Sequence, residues 1–142
     1  MAGAGASEVA SDGGLLGGLL SRFTELVGEG PGYATFHFAS QQEGARLGEG
    51  SHPADLPELL LRVDAILGQR SRLLEATTGL VRLQVDGSSL LRAAGRTGSG
   101  VVLGFWEGVL KAVFKHPFDG EVEGLAPAAG TVILAFKGRA SA

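Results

Sequence analysis

The chain has 142 residues, 24 of them glycine and none cysteine, and carries 12 Lys+Arg against 15 Asp+Glu for a formal charge of -3. That length suits one domain with a real core, and the thin spread of cations offers no basic stripe for phosphates, so no nucleic acid partner is expected. The missing thiols exclude disulfides, cysteine nucleophiles and cysteine-based zinc or iron–sulfur sites.

Residues 1–13 are small and polar and read as a disordered tail without the basic end and apolar stretch of a signal peptide. No apolar run reaches the roughly 18 to 20 residues of a transmembrane helix, and the expected location is cytoplasmic. Across 14–30, Leu15, Leu16, Leu19, Leu20, Phe23, Leu26 and Val27 recur at helical spacing up to the breaker Gly28-EGPG. This stripe suits core packing or a dimer contact better than a membrane surface, because its polar face has one arginine and no lysine cluster.

Residues 31–139 read as the main domain. A second helix is expected from Tyr33 to Glu49, with Gly44 and Gly48 four apart. Asp55 is placed to cap a third helix, Pro57 sits in its first turn, and Leu59, Leu60, Val63, Ile66 and Leu67 give it an apolar face up to Gly68. The period then changes: Leu73–Ala76 and Leu80–Val85 alternate like a strand pair. Turn signals in Arg92-AAGRTGSG lead into a helix from Gly98 to Phe114, which Pro117 must end near His116. Two strands, about Phe118–Gly124 and Thr131–Lys137, close the chain. The order ααα-ββ-α-ββ predicts an α+β fold, helices packed on a largely antiparallel sheet.

The most informative feature lies in that last helix, where Gly100, Gly104, Gly108 and Ala112 share one face. An interior glycine costs about 1 kcal/mol relative to alanine, so the row needs an offsetting gain. It forms a groove almost without side chains, against which another backbone or a flat apolar ligand can lie; a tight helix-to-sheet contact is the plainer reading. Phe105 and Trp106 fall on different sides, one free to line a pocket while the other fills the core, and Val109 borders the row. Glu107 is expected to face solvent or a partner.

Catalytic patterns are weak. Ser88 and Ser89 follow Asp86-Gly87 with no histidine nearby in sequence. Gly95-RTGSG lacks the lysine of a P-loop and the strand-then-helix context of a dinucleotide fingerprint. Glu121 and Glu123 share a face if extended, but two exposed like charges on a strand are a common surface pattern. His37, His52 and His116 never occur at i, i+4 and read as ordinary core or surface histidines, so no metal or other cofactor is expected.

The closing third, Gly104-FWEG-Val109-L followed by Glu123-GLAPAAGTVILAF-Phe136, resembles the signature of the 4-vinyl reductase domain family, related in fold to the small subunits of the transport protein particle (TRAPP) tethering complex. Glu123, Gly130 and Phe136 match its pattern, while its two cysteine positions are held by Ala126 and Leu134. Upstream, Gly44 and Gly48 match the family's early glycine pair, and Asp86-GSS stands near its strand-end Asp-Ser. The resemblance covers about residues 33–138. It implies a dimer through the early helices, an apolar cavity beside the glycine-marked helix, and small-molecule sensing, tetrapyrrole binding, or acyl-chain burial in larger assemblies.

Without the two thiols, a metal role or acylation on sulfur is not inherited. The expected function is therefore a non-enzymatic binding module, a homo-dimer or paired with a related subunit. It would hold a small hydrophobic molecule or present a protein-contact face through Gly44, Gly48, Gly100, Gly104, Phe105, Trp106, Gly108, Val109 and Ala112. Alternatives are a subunit of an enzyme acting on tetrapyrrole vinyl groups, for which no reductant site is seen, and a purely structural scaffold.

Overall fold

The structure, a computed structural model, describes residues 12–139. The tail expected over 1–13 thus falls almost wholly outside the described residues. Helix α1 runs Asp12–Val27 and α2 runs Glu29–Gly48. The break between them is one residue, Gly28 at φ 97°, rather than the five of Gly28-EGPG. Pro31 lies in the first turn of α2, where its missing N–H leaves no bond unmade, so the helix absorbs the rest of the motif.

A 3-10 turn, Pro53–Asp55, precedes α3 at Leu56–Leu67. Asp55 does not cap α3 as expected; its carboxylate instead accepts from the His52 N–H at 2.8 Å, closing the preceding turn. Gly68, at φ 66°, ends α3 in the left-handed conformation that glycine adopts without strain. Asp64 then accepts from the N–H and hydroxyl of Ser71, fastening α3 to the next strand.

Strands β1 (Arg70–Ala76), β2 (Leu80–Asp86), β3 (Phe118–Ala126) and β4 (Thr131–Gly138) form one antiparallel sheet in the order β1-β2-β4-β3. The alternation in β2 sends Val81, Leu83 and Val85 inward, in register with Phe136, Leu134 and Val132 of β4. Helix α4 spans Ser89–Phe114, longer than the expected 98–114. Ser88 starts a first piece by accepting from the Leu91 N–H at 3.2 Å, and at Gly95 (φ 51°, ψ -121°), inside the expected turn, the backbone leaves helical geometry so that two helices meet across a kink. Every residue from Thr97 to Leu110 is buried, because α4 lies between the sheet and the layer of α1 and α2. No helix among the described residues is long and apolar enough to cross a membrane.

Candidate functional site

The glycine row of α4 is covered by α2 of the same chain. A Cβ at Gly100 would lie 2.6 Å from the Tyr33 ring, one at Gly104 would overlap the His37 carbonyl, and one at Gly108 would overlap the Gln41 carbonyl and approach the Ala45 nitrogen to 2.6 Å. The reverse also holds: a Cβ at Gly44 would overlap the Phe105 carbonyl, and one at Gly48 would come within 2.9 Å of the Val109 carbonyl and 3.1 Å of Ala112. Contacts advance by four residues on both helices together, so α2 and α4 run parallel with glycine facing backbone. Such close approach multiplies dispersion contacts, the gain that offsets the glycines' low helix propensity. The contact is helix to helix; the helix-to-sheet alternative does not describe it.

Beside this seam the side chains diverge. Trp106 is fully buried on the core side, and its indole N–H has no partner among the described residues. Val101 and Phe105 instead floor an open groove of about 690 Å³ between the helices, with Leu16, Leu47, Ile66 and Leu67 at its sides. Glu43, Arg46, Glu49 and Arg62 stand around its polar edge, Arg46 paired loosely with Glu43 at 3.7 Å. Glycine contact holds α2 close to α4, and the groove lies beside that contact, reaching Leu16 of α1 and Arg62, Ile66 and Leu67 of α3. Gly108 also borders a smaller cleft of about 320 Å³, where Phe38, Gln41 and Phe118 meet.

Glu107 does not face solvent or a second protein. It is 8% exposed and accepts three hydrogen bonds: from His37 Nε2 at 2.7 Å, Gln41 Nε2 at 2.8 Å and the Gly120 N–H at 2.7 Å. Burial pushes its carboxyl up, but the bonds from His37, Gly120 and Gln41 together outweigh that and hold it below the usual glutamate range. The group ties α2, α4 and β3 together through one side chain. The sequence carried a signal for it, a single acid amid the apolar run of α4 and a His/Gln pair four apart on α2.

Around this cluster, the His37 ring stacks on Tyr33 with centroids 5.7 Å apart, and the Arg96 guanidinium lies 5.5 Å over the Tyr33 ring. Burial raises the Tyr33 phenol, with Arg96 opposing and Glu107 adding to the rise, so the hydroxyl stays protonated at neutral pH. His116 stacks on Phe118, and His52 serves the turn before α3, which leaves the three histidines apart. Of the residues in the family-like pattern, Glu123 pairs with Arg82 at 2.7 Å, Gly130 packs under the Ser88 backbone, Leu134 is fully buried in the sheet, and Ala126 is exposed.

No protein-family model matches the sequence, and no curated protein matches it. Solved structures do match in three dimensions. The phenol-responsive sensory domain of the transcription activator PoxR, solved with phenol, superposes with a TM-score of 0.68 at 14% identity, over 91% of this chain and 75% of that one. Subunit 3 of the trafficking protein particle complex from Naegleria fowleri, covalently bound to palmitic acid, superposes with a TM-score of 0.60 at 12% identity, over 91% of this chain and 96% of that one. At such identities the likeness is one of architecture, and the chain has the α+β fold shared by these two proteins.

Proposed function

We propose that the chain is a non-enzymatic binding module that holds a small hydrophobic molecule in the groove between its helices. The observation that carries this reading is the groove itself: about 690 Å³, floored by Val101 and Phe105, within the size range of small-molecule sites. Both structural neighbours carry apolar molecules, phenol in one and palmitic acid in the other, which supports the same class of occupant here. With no cysteine in the chain, the ligand is not held on sulfur and binding rests on shape and apolar burial.

Native mass spectrometry of protein purified without detergent tests the reading, together with Ala39→Trp, which fills the groove from the exposed side of α2. Extra mass that the wild type carries and the variant loses supports it. A bare chain mass that stays bare after incubation with octanoate and with phenol overturns it.

A second reading, a homo-dimer, is favoured by a particular surface. Leu15, Leu19 and Leu26 of α1 are 72%, 61% and 77% exposed and fall along one helical stripe. Light scattering on the wild type and on Leu19→Glu checks it: a dimer mass that the variant halves supports the contact, and a monomeric wild type at micromolar concentration removes it.

A further inference from the structure

On the opposite flank of α4 the sheet is left unsealed. Val122 and Leu125 of β3 pair with Leu134 and Val132, both fully buried and facing the helices, yet Val122 and Leu125 remain 37% and 38% exposed. The cause is local. At Gly120 the strand presses on α4 so closely that a Cβ would meet Leu103 at 2.7 Å, and beyond it a bulge between Val122 and Gly124 turns the strand away. A cleft of about 350 Å³ opens there, lined by Leu103, Val122, Leu125, Glu121 and the buried Ser99, with Tyr33 and Arg96 at its mouth. It shares no lining residue with the groove.

The mouth is built rather than incidental. Gly100 makes room for the Tyr33 ring, His37 stacks behind it, and Glu107 bonds both His37 and the Gly120 N–H, so one buried carboxylate fixes both walls. The Tyr33 hydroxyl has no protein partner among the described residues, and Arg96 lies over its ring. Three acids stand near, the buried Glu107, whose charge acts on the Tyr33 phenol, among them. Glu29 holds Arg96 at 3.5 Å with both side chains well exposed, an exchangeable pair of little net worth. Glu121 is itself one of the residues that line the cleft, at its β3 edge between Gly120 and Val122.

We infer that this cleft is a second binding site, one that takes a small monocarboxylic acid with a compact apolar body. The body lies against Leu103, Val122 and Leu125, and the carboxylate displaces Glu29 to accept from Arg96 and the Tyr33 hydroxyl. A dry cavity of about 150 Å³ holds benzene, so this volume admits a bicyclic ring. The charged pairing supplies discrimination between the acid and its neutral isosteres.

Fluorescence titration of the full chain with 2-naphthoate, against 2-naphthamide, tests the inference. Saturable binding of the acid is expected, at least tenfold weaker for the amide and for Arg96→Gln, absent in Leu125→Trp, and unchanged in Ala39→Trp, whose substitution lies in the groove. Amide shifts in the NMR spectrum of the wild type should centre on Tyr33, Leu103 and Val122, a readout that does not depend on any variant folding. No saturable binding, equal affinity for the amide, or binding lost in Ala39→Trp but kept in Leu125→Trp overturns it. The last outcome would return the ligand to the groove and leave the proposed function standing.

Discussion

Gly108→Ala is the sharpest test of the α2–α4 seam. In an exposed helix the change would stabilise by about 1 kcal/mol. Here the new methyl overlaps the Gln41 carbonyl and reaches the Ala45 nitrogen at 2.6 Å, both backbone atoms that no rotamer change can move aside. The helices must separate by an ångström or more along a seam that includes Gly44, Gly48 and Gly104. Overpacking of this kind costs about 1–3 kcal/mol and occasionally more. With two backbone atoms in the way, the top of that range exceeds the propensity gain, and we expect a net loss of about 2 kcal/mol, or roughly 4–8 °C in Tm for a domain near this size. Gly18→Ala on α1 is the internal control, because nothing lies within 4 Å of its added methyl; it should raise stability by up to about 1 kcal/mol. Urea and thermal unfolding of both variants decide the matter. A Gly108→Ala protein as stable as Gly18→Ala would mean that α2 does not lie on the row.

Further expectations concern the buried carboxylate and the helix start. Glu107→Gln should cost about 1.5–3 kcal/mol, the usual worth of hydrogen bonds to a charged group, and a stability curve unchanged at neutral pH would refute the three-way tie. Because the folded carboxyl titrates below its unfolded value, its contribution is fully present above the ordinary glutamate range and is lost as pH falls through the lower folded value. The acid limb of the wild-type stability profile should therefore flatten in the Gln variant. Ser88→Ala removes the bond to the Leu91 N–H and should cost about 1 kcal/mol, seen as a lower urea midpoint at unchanged m-value. Gly130→Ala combines a φ of 68° with a methyl 2.8 Å from the Ser88 backbone and should cost more than the cap itself, measured the same way.

Much of the architecture was legible from local pattern. Leucine spacing marked α1, the alternation Leu80-Val-Arg-Leu-Gln-Val85 marked β2, and the element order led to the α+β class. Boundaries slipped where chemistry outside the motif intervened: Pro31 was absorbed into a first turn, and Ser88 capped a start at Ser89, nine residues before Gly98. The two glycine pairs were visible, but nothing local says that Gly44 and Gly48 meet the helix carrying Gly104 and Gly108. Glu107 was misread for the same reason. Its burial is tolerable only because α2 and β3 bring three donors to it, and neither element is near it in sequence.

By itself, then, the amino-acid order determined what depends on neighbours within a few residues: the periodicities, the breakers, and the exclusion of thiol chemistry by composition. Tertiary structure decided which bare faces press together, that the groove lies beside Phe105 and a cleft beside Val122, and that a lone acid is internal. Those outcomes turn on backbone-to-backbone distances and on donors supplied from distant segments, quantities that exist only once the chain has closed on itself.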